Sequence, residues 1–386
     1  MRICVIAQGY PYPGFPQFPF VEQLCNAIAD LGHQVVVVAP QSLTNKYIRR
    51  HPLIPYYRKF ETGKGGIVEI FTPKYLTIGT FPVLGDKINY GLFNRSVVNT
   101  LKGLNGKYHF DLCYGHFWYS AYAAFPFCQK NNIPLFVASG ESVIQINHII
   151  TQSKLRSLAS YISGVICVST KNKMESIQKC FVDEEKCKVF PNSIDSSLFY
   201  FKDKKEELRA KFGFSNSDFI VAFTGAFIHR KGAKRVSDAL TQINDPNIKA
   251  IFIGAGSEEE PNYNRTIFKG RVEHDLIPDY LNCADIFVLP TLKEGCCNAI
   301  VEALACGLPI VSSDELFNYD ILDKSNSILV NPLDVDGIKN AIISLKEDSN
   351  LYCLLSQGAL HQATDLNIVN RALRISEFIK QNINNN

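Results

Sequence analysis

Short runs rich in Val and Ile recur along this chain, each followed by a stretch with helical spacing, and no other feature limits the fold as tightly. The runs fall at 3–7, 35–39, 111–114, 135–139 and 165–168 in the first half, and at 220–224, 250–254, 285–289 and 310–312 in the second. They are continuous rather than alternating, which suits strands buried on both faces of a parallel sheet. Helical patterns cover 19–31, 155–163, 171–180, 233–243, 298–306 and 335–346. Parallel strands need crossover connections, so the alternation predicts βαβ units in doubly wound α/β sheets.

A length of 386 residues fits two such domains better than one. The break is expected near 195–217. Pro191-Asn192-Ser193 is a turn signal, and 202–211 mixes charges of both signs with few apolar residues, which reads as a solvated helix or linker. The predicted domains are 1–197 and 198–369. A net charge of +3 does not suit a nucleic-acid binder, which usually carries a strongly basic face. No run of about 18 apolar residues is present, and the N-terminus reads as a buried strand rather than a signal peptide. The 12 cysteines are scattered, with no C-x2-C pair, which suggests buried reduced thiols rather than a metal or disulfide framework. The segment 41–60 has five basic residues (Lys46, Arg49, Arg50, Arg58, Lys59), no acidic one, and interleaved tyrosines and prolines. It is a candidate for peripheral contact with an anionic membrane, a solvated loop being the alternative.

The densest chemistry lies between Asp285 and Pro309. A buried strand ends at Pro290, a short loop holds Glu294 and Gly295, and a helix starts near Asn298 and stops at Gly307. The first turn of such a helix offers unpaired N–H groups to an anion such as a diphosphate. Glu294 is then expected to be free for sugar hydroxyls. Glu302, one turn into the helix, is placed to accept both ribose hydroxyls. Two glutamates at this spacing carry little information alone; the flanking strand, loop, helix and Gly-x-Pro sequence supply it. Lys231 follows a strand and a glycine turn, where an ammonium can neutralise a diphosphate and stabilise a departing nucleoside diphosphate without a metal. The one Asp-x-Asp sequence, Asp334-Val335-Asp336, lies outside these segments.

These residues resemble the donor-site signature of the retaining GT-B glycosyltransferases of family GT4. Thr224–Gly232, including Gly225, Arg230 and Lys231, resembles the family's phosphate-binding strand-loop-helix element. The Ile251–Gly256 run resembles its second glycine turn, at Gly254. Phe268–Val272 resembles its nucleobase loop, with Arg271 and Val272 at its end. The loop Glu294, Gly295, Cys296, Cys297, Asn298 and Glu302 resemble its sugar and nucleotide contacts. Pro191–Asp195 and Gly32-His33-Gln34-Val35 resemble further family turns. The likeness is strong over 219–331 and moderate over 1–195.

The resemblance implies two Rossmann-like domains facing across a cleft. The first would take the acceptor, the second a nucleotide-sugar, and a last helix near 370–386 would pack back on the first. It implies transfer with retention from a UDP- or GDP-linked donor, which is a substrate, with no separate cofactor. The implied acceptor is a saccharide or lipid-linked saccharide. The implied setting is surface polysaccharide or lipopolysaccharide synthesis, in the cytoplasm or on the inner membrane face. A nucleotide-sugar 2-epimerase or phosphorylase of the same plan, and a non-catalytic sugar-binding derivative, are the alternatives.

Four positions depart from the family pattern: Ala226 stands where an Arg is expected, Cys297 and Ser193 replace glycines, and Gly140 replaces a histidine. Arg230 is the candidate substitute for the first. Glu141 is the candidate to contact sugar or acceptor in place of the missing histidine, a cap or turn role being the alternative. His116, read as following the strand at 111–114 and leading into Phe117-Trp118-Tyr119, suits either sugar contact or aromatic packing. The first loop, Gln8 to Phe15, lacks the G-x-G-x-x-G spacing of a dinucleotide site and fits an acceptor-shaping loop better.

Overall fold

The structure, a computed structural model, describes every residue except Pro16, 45–50, 78–83 and 385–386. The chain forms two units, Met1–Phe190 with Ile368–Asn386, and Pro191–Asn367. Each has a doubly wound sheet, and both are Rossmann-like.

In the first unit the strands are β1 (Arg2–Ile6), β2 (Gln34–Val38), β4 (Tyr57–Glu61), β5 (Ile67–Phe71), β7 (Leu112–His116), β8 (Leu135–Ser139), β9 (Gly164–Cys167) and β10 (Cys187–Val189). β3 (Gln41–Ser42) and β6 (Lys74–Tyr75) form a separate two-stranded ribbon. The sheet order is β10-β9-β8-β7-β1-β2-β5-β4, parallel except for the β4–β5 edge hairpin. The chain winds outward from β1 to one side, then returns to lay β7 on the other, so the switch point lies between β1 and β7. β1 feeds both layers of core: Cys4 and Ile6 join one cluster, Ile3 and Val5 the other. The helix Ile368–Asn384 closes the second cluster with Ala372, Ile375, Phe378 and Ile379.

The second unit has β11 (Phe219–Thr224), β12 (Ile248–Ile253), β13 (Thr266–Gly270), β14 (Ile286–Leu289), β15 (Ile310–Ser313) and β16 (Ser327–Val330). Their order, β13-β12-β11-β14-β15-β16, is wholly parallel, with its switch point between β11 and β14. Helices Ala233–Ile243 and Asn298–Ala305 follow the two strands that flank that point.

Several elements differ from the sequence reading. The 202–211 stretch holds the helix of the two alternatives: Lys205–Phe212 is a helix with half of its residues exposed, tied down by a buried Arg209. That guanidinium donates to the carbonyls of Cys283 and Asp218 and pairs with Asp285 at 2.7 Å. An arginine thus does what an apolar residue normally does, which hydrophobic periodicity does not detect. The strand expected at 111–114 runs from Leu112 to His116, placing His116 inside the sheet. Phe117, at φ 74°, then turns the chain into the helix Trp118–Asn131. That helix and the long Leu84–Tyr108 are absent from the sequence reading. The first is apolar nearly all round and contains Pro126, so it shows no continuous polar face. Among the described residues no helix is long and apolar enough to cross a membrane. All 12 cysteines are free, and every one but Cys353 is buried.

Candidate active site

Two loops meet at the switch point of the second sheet: 225–232 after β11 and 290–297 after β14. Arg235, near the start of the following helix, clamps them together. Its guanidinium donates to the carbonyl of His229 in one loop and of Pro290 in the other, both at 2.9 Å. The backbone adds a bond from Leu292 N–H to the Arg230 carbonyl at 2.8 Å. Behind them, Gly225 and Gly254 press backbone to backbone. A Cβ on Gly254, which sits at φ 154°, would lie 1.9 Å from the Gly225 carbonyl oxygen.

Glu294 sits at the centre of this junction. Its Oε1 lies 2.5 Å from Arg230 Nη1, 2.6 Å from Lys231 Nζ and 3.0 Å from Thr291 Oγ1. The side chains of Lys231 and Glu294 are only 14% and 12% exposed, so the pair is shielded from water screening. The sequence reading left Glu294 free for sugar hydroxyls. In the structure Oε1 is taken by three donors, two of them cationic, and Oε2 lies outside these contacts. Arg230 is likewise committed, since the same Nη1 also donates to the Lys293 carbonyl at 2.7 Å.

Lys231 Nζ lies 3.7 Å from Cys297 Sγ. Burial works against charge on this lysine, but Cys297 and Glu294 outweigh it and hold the ammonium above its ordinary value. Burial pushes the Cys297 thiol up, against the pull of Lys231 and of the N–H groups of Ile300 and Ala299. Cys297 occupies the N-cap of the helix Asn298–Ala305 without a side-chain capping bond. Its carbonyl accepts from the N–H groups of Ile300 at 3.1 Å and Val301 at 3.3 Å, which leaves the N–H groups before them at the head of the helix. The helix ends where expected, with Gly307 at φ 75° just beyond it. Gly295, Cys296 and Cys297 are buried, while Asn298 and Glu302 are half-buried.

Two further residues of this site were not singled out by the sequence. Asn192 Nδ2 donates to the Cys296 carbonyl at 2.9 Å and to Asn298 Oδ1 at 2.8 Å, anchoring the loop to the turn at the start of this unit. His274 Nε2 is 3.8 Å from Glu302 Oε1, and that nearby carboxylate raises the imidazole above its ordinary value despite burial. Asn192 was legible as a turn residue; His274 had no signal beyond lying four residues after Gly270. Arg271 is exposed and Val272 half-buried at the carboxyl end of β13.

The remaining candidates belong to the first unit. Glu141 takes the cap role. One oxygen accepts from the backbone N–H of Trp118 at 2.8 Å, at the start of its helix, and the other from Gly140 N–H at 3.0 Å. Burial pushes this carboxyl up to about 7, although those N–H groups and Lys171 favour its ionised form. Glu141 also lines a cavity with Gln8, Tyr90 and Phe117. His116 is buried between Phe20 and Phe117, with ring centroids 5.4 and 4.6 Å away. Burial, with help from Arg371, lowers it to about 3, so the ring is neutral at physiological pH. Within the segment 41–60, Lys46, Arg49 and Arg50 lie outside the described residues.

Two doubly wound units, one carrying a shielded Lys–Glu pair at a helix N-terminus on its switch point, define a GT-B glycosyltransferase. The family comparisons give the particular group: residues 204–361 match "Glycosyl transferases group 1" and 19–198 match "Glycosyltransferase Family 4", and the chain belongs to that family. One relative is a Bacillus subtilis (strain 168) protein, TuaC, whose name assigns it to teichuronic acid biosynthesis as a glycosyltransferase. It is 25% identical over 89% of this chain and 88% of its own length. An Escherichia coli UDP-Gal:alpha-D-GlcNAc-diphosphoundecaprenol alpha-1,3-galactosyltransferase is 28% identical over 55% of this chain, which spans 59% of that enzyme. The fold is shared with Thermosynechococcus elongatus sucrose-phosphate synthase, with a TM-score of 0.76, 19% identity and 99% and 98% of the two chains covered. It is also shared with Anabaena HepE in complex with UDP, with a TM-score of 0.74, 21% identity and 99% and 100% covered.

Proposed function

We propose that this glycosyltransferase is retaining and metal-independent, moving a sugar from a UDP- or GDP-linked donor to a saccharide or lipid-linked saccharide acceptor. The observation that carries the reading is Lys231, held with Glu294 beside the open N-terminus of the helix Asn298–Ala305. In this reading the first-turn N–H groups and Lys231 take the diphosphate, and the ammonium stabilises the charge on the leaving nucleoside diphosphate. Arg230 keeps Glu294 oriented, and Glu294 presents Oε2 to the sugar. Glu302 accepts the ribose hydroxyls, with His274 fixing its carboxylate. Gly225 and Gly254 let the two loops close on each other behind Lys231, and the backbone at Arg271 and Val272 meets the base. A donor phosphate oxygen accepts the acceptor proton as the new bond forms on the face the leaving group vacates. The first unit receives the acceptor, with Glu141 and His116 on that side.

The E. coli relative's name gives a UDP-Gal donor and a diphosphoundecaprenol-linked acceptor. A Campylobacter jejuni relative, 29% identical over 51% of this chain, is also named for a diphospho-undecaprenol acceptor. These names favour a lipid-linked acceptor in surface polysaccharide synthesis at the inner membrane face. The described part of 41–60 supports that setting: Leu53, Tyr56, Tyr57 and Phe60 are each at least 45% exposed, beside the exposed Lys59, while Arg58 turns its guanidinium inward onto the Pro11 carbonyl and the Tyr12 ring. Aromatic and basic residues together suit the headgroup region of an anionic leaflet.

A thermal-shift screen with UDP, GDP and ADP tests the donor site, because a ligand of the native state raises the melting temperature by mass action. UDP or GDP is expected to stabilise the wild type and not the Glu302→Ala variant. Transfer is expected to survive EDTA and to yield a product whose anomeric configuration, read by NMR, matches the donor's. No nucleotide effect, or an inverted product, overturns the reading.

A further inference from the structure

The first unit holds two cavities of about 170 Å³ each at the carboxyl end of its sheet, and Gln8 lines both. They flank the switch point between β1 and β7. One is built on the loop after β1, the other on Phe117 and Trp118 after β7. Open α/β sheets place ligands at such points.

The walls have a common chemistry. The first presents Tyr10, Phe15 and Tyr75 with Gln8, Gln17 and His51. The second presents Tyr90, Phe117 and Trp118 with Gln8, Gln145 and Glu141. The side-chain amides of Gln8 and Gln145 make no hydrogen bond to another described residue. An alkyl chain filling either cavity would strand these polar groups, at a desolvation cost. A phosphate would meet no Lys or Arg in either wall among the described residues, and in the second it would face the Glu141 carboxyl. A pyranose ring satisfies both halves of the wall. Its C–H face packs on an aromatic ring, and its edge hydroxyls pair with planar amides and a carboxyl.

Resting on the glycosyltransferase reading above, we propose that these cavities are adjoining subsites for two consecutive uncharged sugar units of the acceptor, with Gln8 shared between them. The enzyme then reads a neutral disaccharide end rather than a single sugar or a lipid phosphate.

The chain has a single tryptophan, Trp118, and it lies in the wall of the second cavity. Its ring is 1% exposed, so its emission registers occupancy, with no nucleotide present, through the packing of that wall. The full chain is titrated with methyl glycosides of glucose, galactose, mannose, N-acetylglucosamine and N-acetylgalactosamine, with their α- and β-linked disaccharides, and with glucuronate and inorganic phosphate. Calorimetry on the same panel detects binding that leaves the emission unchanged. At least one neutral disaccharide is expected to bind about tenfold or more tightly than its component glycosides, a difference of about 1.4 kcal/mol. Gln8→Ala, at an exposed position, is expected to remove most of that gap. Equal affinity for mono- and disaccharides, preference for glucuronate or phosphate, or no saccharide binding by either method overturns the proposal. Stabilisation by UDP or GDP without saccharide binding overturns the paired subsites alone. Saccharide binding without any nucleotide effect overturns the donor reading and leaves the subsites standing.

Discussion

Replacing Glu141 with Gln should change how the stability of the first unit depends on pH. Burial lifts the Glu141 carboxyl from 4.5 to about 7 in the folded protein. Between those values the folded state keeps a proton that the unfolded chain has released, so stability falls as pH rises. The full contribution is present below pH 4.5 and is lost by about pH 7. At about 1.4 kcal/mol per pKa unit, the loss is on the order of 3 kcal/mol. His116 acts oppositely. Lowered from 6.5 to about 3, it leaves the folded protein short of a proton that the unfolded chain binds, so stability rises with pH across that window. Over pH 4.5–6.5 the two slopes nearly cancel in the wild type. Glu141→Gln removes the falling one, and the variant should gain about 3 kcal/mol on the wild type between pH 4.5 and 7, beyond any constant offset from the amide. Urea unfolding followed by Trp118 emission at half-unit pH steps measures this, and because Trp118 lies in the first unit the signal reports that unit. If the two stability curves run parallel from pH 4.5 to 7, the N–H groups of Trp118 and Gly140 hold the carboxylate ionised and the argument from burial fails.

Lys231→Ala should lower kcat by about 10²- to 10³-fold while the protein stays folded, the size of effect expected when one donor to a developing charge is lost; steady-state kinetics and circular dichroism read the two parts. Arg209→Met should destabilise the second unit by about 1–3 kcal/mol, since it leaves the Cys283 and Asp218 carbonyls without their donor while Lys205 still pairs with Asp285 at 2.5 Å; chemical unfolding followed by circular dichroism tests it. Gly254→Ala should abolish nucleotide stabilisation in the thermal-shift assay and reduce soluble yield, because the new Cβ cannot share space with the Gly225 carbonyl.

What the sequence disclosed was chemistry packed into consecutive residues. The strand, loop and helix from Asp285 to Gly307 could be read because β14, the helix start at Asn298 and the positive φ of Gly307 each have a local cause. What it concealed depends on partners far along the chain. Glu294 looked free because Arg230 and Lys231, which hold it, lie more than sixty residues earlier. Glu141 resembled a replacement ligand because the helix it caps begins 23 residues before it. Arg209 looked solvent-facing because its partners, Cys283 and Asp285, come from a strand edge over seventy residues on. The hydrophobic period that reveals core helices says nothing about a buried guanidinium or about a nearly all-round apolar helix such as Trp118–Asn131.

The helix Ile368–Asn384 sets an order of events in synthesis. The first unit is translated first, yet one face of its sheet is roofed by residues that follow the entire second unit. Until Ala372, Ile375, Phe378 and Ile379 leave the ribosome, that face is covered only by the helix Pro19–Asp30, while Pro191–Asn367 is a unit of its own. The half of the protein made first is thus the half finished last. A chain interrupted before this helix would combine a completed second unit with a partly open, adhesive sheet.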